Sequence, residues 1–138
     1  MASINGIAHI QLSVTSMERS VPFYEKLLHS LEMVTLQKGP QFFYCIGGRT
    51  GVAISPIEPA FENQAFNQRR AGLHHLCFRA RSREDVDAIY QTALELRATI
   101  IRAPTETDWA PGYYSVLFED PDGIRIEANH VPGKGHLE

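Results

Sequence analysis

Two short blocks of this chain alternate apolar and polar positions in the same way. In the first, Ile10, Leu12 and Val14 fall on one side and His9, Gln11 and Ser13 on the other. In the second, Leu76, Phe78 and Ala80 oppose His75, Cys77 and Arg79. Strict alternation of this kind predicts half-buried β-strands. The spacing then changes to that of a helix. Val86, Ile89, Tyr90, Ala93 and Leu94 form an apolar stripe after Ser82, a suitable N-cap, and Tyr24, Leu27, Leu28 and Leu31 do the same earlier. Pro22 suits a first turn but not a helix interior, so the first helix is expected to start late or to kink. Further strands are expected at about 35–37, 41–46 and 52–55, and again at about 99–102, 113–119 and 124–129. Gly47-Gly48 and Asp120-Pro121-Asp122-Gly123 supply turn chemistry between the last two strands of each set.

The two halves are copies. An offset of 75 − 9 = 66 carries His9 to His75, Ser16 to Ser82, Glu18 to Glu84, Tyr24 to Tyr90 and Leu28 to Leu94. A second offset, 127 − 55 = 72, matches Gly51-Val-Ala-Ile-Ser55 to Gly123-Ile-Arg-Ile-Glu127. Internal repeats of this kind organise a fold before any local detail does. The reading is one α+β domain over 1–138, built of two tandem βαβββ units. Unit one spans about 4–57, a polar linker about 58–72, unit two about 73–130, and a tail 131–138. The units are expected to form a curled mixed sheet with the helices outside. The apolar strand faces pack on the helices. His9, His75, Arg125, Glu127 and Asn129 then share the concave side.

Composition narrows the function. The chain has 138 residues, 43% hydrophobic residues and a net charge of −3. That suffices for one core, and it offers no electrostatic footprint for nucleic acid or an anionic membrane. No apolar run is long enough to span a bilayer, and no secretory signal opens the chain. Cys45 and Cys77 form no CxxC pair, so they read as reduced thiols in a cytoplasmic protein, with Cys77 a small buried residue. The final Leu137-Glu138 carries no weight.

In this order, His9-Ile-Gln-Leu-Ser-Val, Ser20-Val-Pro-Phe-Tyr-Glu-Lys-Leu-Leu28, Gly72-Leu-His-His-Leu-Cys-Phe78 and Phe118-Glu-Asp-Pro-Asp-Gly-Ile-Arg-Ile-Glu127 resemble the vicinal oxygen chelate superfamily over nearly the whole chain. That superfamily includes glyoxalase I, extradiol dioxygenases, methylmalonyl-CoA epimerase, fosfomycin-resistance thiol transferases and bleomycin-binding proteins. The resemblance implies metal ligands at four matched positions: His9, Ser55, His75 and Glu127. A serine hydroxyl is a poor ligand, which leaves His9, His75 and Glu127 to hold one divalent ion, zinc, manganese, nickel or iron(II), with open positions for substrate. It leaves lyase, dioxygenase and thiol-transferase chemistry unresolved.

His74 competes with His75 but breaks the repeat register, and by strand alternation its side chain should point the opposite way. Glu127 has a bland alternative, a surface salt bridge with Arg125 or Arg79. Arg79 and Arg125 are candidate clamps for a substrate carboxylate or phosphate, or simply solvated strand-end arginines. Gln11, Ser55, Trp109 and Tyr113 are candidate substrate-lining residues, and Tyr113 and Tyr114 alternate, so one of them faces the cup. The Trp109–Tyr114 loop suits a pocket lid and core packing equally. His130 and His136 are assigned to a solvated tail. No residue stands out as a catalytic base. The expected partners are a small-molecule substrate and a second copy in a homodimer. If the dimer exchanges units between subunits, His9 comes from one chain and His75 with Glu127 from the other. The competing reading is a metal-free small-molecule or drug-binding protein of the bleomycin-resistance type.

Overall fold

The computed structural model describes residues 1–133; the expectations for His136 and Leu137-Glu138 lie outside the described residues. The chain divides into two compact units, Met1–Gln64 and Ala65–Glu138. In unit one the order is β1 (His9–Val14), α1 (Met17–Ser30), β2 (Val34–Gly39), β3 (Phe42–Gly47) and β4 (Thr50–Pro56). A short 3-10 turn, Pro59–Phe61, follows in the linker. Unit two repeats the order with β5 (Leu76–Arg79), α2 (Arg83–Glu95), β6 (Thr99–Thr107), β7 (Tyr113–Glu119) and β8 (Arg125–His130). Each unit is therefore βαβββ. Each carries its own four-stranded mixed sheet, β1-β4-β3-β2 in one and β5-β8-β7-β6 in the other. The first and last strands of a unit run parallel at one edge, and the hairpin-connected strands are antiparallel.

Both helices open on a serine cap. Ser16 Oγ accepts from Arg19 N, and Ser82 Oγ accepts from Asp85 N at 3.1 Å. Helix α1 starts at Met17 and carries Pro22 in its interior, so the expectation of a late start does not hold. The ring withdraws only the donor for the Glu18 carbonyl, on an exposed stretch of the second turn where water can serve. The other departure is β6, which runs to Thr107 and not merely to about 102. Pro104 does not stop it because β6 is an edge strand whose register shifts between Arg102 and Thr105, the setting in which a strand tolerates proline.

The apolar faces behave as the alternation requires. Leu12, Val14, Phe43, Val52 and Ile54 are buried, as are Phe23, Tyr24, Leu27 and Leu28 of α1, which packs on β2, β3 and β4. Leu76, Val116, Phe118, Ile126 and Ala128 bury against Val86, Ile89 and Ala93 of α2. Asp120 shapes the last hairpin by accepting from Asp122 N and Ile124 N, both at 2.8 Å, while Gly123 takes the left-handed φ of 86°. No helix among the described residues is long and apolar enough to cross a membrane.

Truncating Phe118, which is fully buried, should cost about 3–5 kcal/mol, whereas Ser82→Ala should cost about 1 kcal/mol. Urea unfolding of the two variants checks the order; equal losses would contradict this assignment of core and cap.

Candidate metal site

The polar face of unit two is set by strand pairing. β5 and β8 place Cys77 opposite Glu127 and Arg79 opposite Asn129. β7 adds Leu117 opposite Glu127 and Ser115 opposite Asn129. Partnered residues project to the same side, so this face gathers Cys77, Arg79, Tyr113, Ser115, Glu127 and Asn129. Tyr114 points the other way and donates its hydroxyl to Asp87 of α2 at 2.6 Å. Of the two tyrosines, Tyr113 is the one on the polar face.

Glu127 is the centre of this face. It is 3% exposed, one of few buried charged side chains. Oε2 accepts a hydrogen bond from the Tyr113 hydroxyl. Oε1 lies 3.4 Å from His75 Nε2. Arg125 does not reach it: its Nε sits 3.6 Å from Glu119 Oε2, and Arg79 makes no ion pair with Glu127 among the described residues. The salt-bridge alternative for Glu127 is therefore not what the fold provides. Among the described residues this buried carboxylate meets a phenol and one imidazole and no arginine or lysine, the fixed positive charge that burial ordinarily demands. That vacancy in the charge balance fits a divalent cation, and an imidazole and a carboxylate are donors suited to one.

His75 precedes β5 and so lies outside the strand. Strand alternation does not apply to its neighbour, and the expectation that His74 turns away fails for that reason. The two Nδ1 atoms share a hydrogen bond of 2.8 Å, with the rings edge-on at 5.0 Å. His74 thereby orients His75 and directs Nε2 toward Glu127, the supporting role a ligating histidine commonly requires. The sequence register discounted His74 as a ligand; its contribution as a brace was missed.

The Glu127 carboxylate also acts on its neighbours. Although Cys77 is exposed and not buried as expected, its thiol is pushed up to about 12, first by desolvation of the sulfur and then by the charge of Glu127. The Tyr113 hydroxyl is raised as well, by desolvation and then by its bond to Glu127. Both groups remain protonated donors beside an anion at neutral pH.

Unit one places its counterparts differently. Gln11 Nε2 donates to Ser55 Oγ at 3.0 Å, so these two predicted lining residues bind each other. The register also shifts. Gln11 pairs with Ala53, whereas Cys77, its repeat partner, pairs with Glu127. The rung counterpart of Glu127 is thus Ala53, with Ser55 two residues further along the same face; the match of Ser55 to Glu127 by sequence offset is corrected. Either way unit one offers no carboxylate. His9 opens β1 as an exposed side chain opposite Gly51. Among the described residues no three His, Cys, Asp or Glu side chains form a group that could hold a metal ion; the pair that meets is His75 and Glu127.

Two further expectations are revised. His130 ends β8 instead of lying in a solvated tail, and its Nδ1 sits 3.2 Å from the Ala80 carbonyl. Trp109 is 58% exposed and packs edge-on against Tyr113 at 5.3 Å, while Ala110 beside it is buried. The loop thus walls the polar face with one side chain and anchors itself with the next.

A family model described as the glyoxalase/bleomycin resistance protein/dioxygenase superfamily matches residues 6–128. A metallothiol transferase, FosB, of Shouchella clausii is 29% identical over 129 residues, 91% of this chain and 80% of that protein. An uncharacterised Bacillus subtilis protein, YqjT, is 31% identical over 121 residues, 86% of this chain and 94% of that one. Among solved structures, a Bacillus halodurans protein provisionally assigned as a glyoxalase superposes with a TM-score of 0.81 at 29% identity, covering 91% of this chain and 95% of that one.

In metal-free protein, alkylation of Cys77 should be slow at pH 9.0, the ordinary midpoint of a thiol, because the raised value keeps it protonated there. The rate should climb only as pH approaches about 12, and Glu127→Gln should move the profile to lower pH. A profile with an ordinary midpoint in both proteins would remove the electrostatic coupling between Cys77 and Glu127.

Proposed function

Since the chain belongs to the glyoxalase/bleomycin resistance protein/dioxygenase superfamily, we propose that it is a metal-dependent enzyme acting on a small molecule through a site built on His75 and Glu127, with His9 as the third ligand. The observation that carries this reading is the buried Glu127 carboxylate, which faces an imidazole nitrogen and has no arginine or lysine paired with it among the described residues. The similarity to a metallothiol transferase of Shouchella clausii supports the same class of site. When bound, a divalent ion supplies a Lewis acid to neighbouring oxygens of the substrate. The chain's own residues do the rest. Tyr113 occupies Oε2 of Glu127 and leaves Oε1 on the His75 side. His74 holds the His75 ring through Nδ1. Trp109 and Tyr113 wall the polar face, and Cys77 and Asn129 line its floor. Gln11, Ser55, Arg79 and Arg125 stay as substrate-lining candidates, with the first pair bonded to each other and Arg125 engaged by Glu119.

The relatives include a thiol transferase, and the superfamily's description includes dioxygenases, so the reaction is assigned only as metal-assisted chemistry on a chelating small molecule. A metal-free small-molecule binding protein of the bleomycin-resistance type is the competing reading. It is favoured by one observation: both carboxylate oxygens of Glu127 already have a protein neighbour, Tyr113 at Oε2 and His75 at Oε1. We further propose that the functional form is a homodimer.

Untagged protein should carry close to one equivalent of zinc, manganese, nickel or iron, measured by elemental analysis. His75→Ala and Glu127→Ala should lose about 10- to 100-fold or more in metal affinity, and His9→Ala a comparable amount. Substoichiometric metal that none of the three variants changes would leave the metal-free reading. Sedimentation equilibrium should return twice the chain mass of 15.5 kDa; a clean monomer over the working concentration range would remove the dimer.

A further inference from the structure

Arg102, which lies on β6 one strand beyond β7, is a half-buried cation on the polar face of unit two with no anionic partner among the described residues. No ion pair involves it among the described residues. Its Nη2 donates to Ser115 Oγ at 2.9 Å, its guanidinium carbon sits 5.4 Å from the centre of the Trp109 ring, and its Nε is out of solvent with no acceptor. A guanidinium donor left in that state costs stability unless something supplies an acceptor. The contacts to Ser115 and Trp109 hold the group in place, so little ordering remains to be done when an anion arrives.

The position relative to Glu127 is fixed by the sheet. Arg102, Leu117, Glu127 and Cys77 stand on one rung across β6, β7, β8 and β5. Neighbouring strands lie about 4.8 Å apart, so the Arg102 and Glu127 backbones are about 10 Å apart on the same face. Leu117 between them gives an apolar floor. The geometry points to an oxyanion subsite at Arg102, shaped by Trp109 and Ser115, for a small substrate that carries a carboxylate or phosphoryl group at one end, a short carbon segment over Leu117, and its chelating oxygens toward Glu127. The subsite rests on the proposed function only in assigning the anion to the substrate. Arg79 and Arg125 do not compete for it: Arg125 is engaged by Glu119, and Arg79 stands three strands away, on β5 beside Asn129.

Trp109 is the one tryptophan of the chain, so its fluorescence reports on the group beneath Arg102. Inorganic phosphate and malonate are titrated into the purified protein at constant ionic strength, before and after treatment with a chelator, with metal content measured on the same samples. The expected result is a saturable change in emission that survives the chelator. It should weaken roughly ten- to hundredfold in Arg102→Gln, weaken less in Arg102→Lys, which keeps the charge but loses the fork, and stay unchanged in Arg97→Gln on the surface. The preference between phosphate and malonate tells a phosphoryl from a carboxylate ligand. Circular dichroism melts of each variant guard against misfolding, and Arg102→Lys carries the test if Arg102→Gln does not fold. Three results each overturn the subsite: no saturable change, a change that Arg102→Gln leaves intact, or a change that the chelator abolishes. Anion binding by protein that carries no metal as purified, before any chelator, and takes up none when zinc, manganese, nickel or iron(II) is supplied supports the subsite and removes the metal reading, so the two fail separately.

Discussion

Burial of one face of each sheet against one helix is the constraint on which the rest of this protein depends. In unit two Val116, Phe118, Ile126 and Ala128 are removed from water beneath α2. Each fully buried side chain of this size contributes roughly 1.5–3 kcal/mol, so the face they occupy cannot be exchanged for the other. Because strand side chains alternate, every residue between them is delivered to the opposite side: Tyr113, Ser115, Leu117, Glu127 and Asn129. Shifting β8 by one residue would put Glu127 under the helix and Ile126 in its place. The polar cluster exists because the apolar one is committed.

The cluster is then governed by charge. Glu127 is withdrawn from solvent, and its neighbours are a phenol, a thiol and an imidazole. Two of these are made harder to ionise by desolvation and by the carboxylate itself, which keeps them as donors. Two cations of the same face are held elsewhere. Arg125 turns to Glu119 at the hairpin, and Arg102 rests on Ser115 and Trp109. Positive charge is thus kept off Glu127 while it remains available along the rung. That separation of the Glu127 carboxylate from the Arg102 guanidinium gives the face two distinct ends.

The repeat does not make the units equivalent. Gly51 has room only for hydrogen at its α-carbon, because the Tyr44 ring lies over it. Tyr44 pairs with Ala53, so an aromatic ring and a methyl group stand in unit one where Leu117 and Glu127 stand in unit two. The hydroxyl of Ser55 is taken by Gln11. One copy of the duplicated framework keeps the acid, and the other closes over the corresponding surface with apolar atoms.

Periodicity and repetition along the chain determined the fold. Alternation around His9 and His75, helical spacing after Ser16 and Ser82, and turn residues at Gly47-Gly48 and Asp120–Gly123 are local, and local preferences agree with the tertiary outcome at each of these places. The side of the sheet on which Glu127 falls was legible for the same reason. Pairings between distant strands were not. Register within each parallel pair depends on loop lengths and packing, so it took the folded sheet to set Ala53 opposite Gln11 and Glu127 opposite Cys77. The bond of His74 to His75 arises because β5 starts one residue late, at Leu76, a boundary that periodicity cannot locate. Arg102 escaped notice because β6 reads as ending there; only as an edge strand with shifted register could it continue through Pro104 and bring Arg102 onto the rung of Glu127.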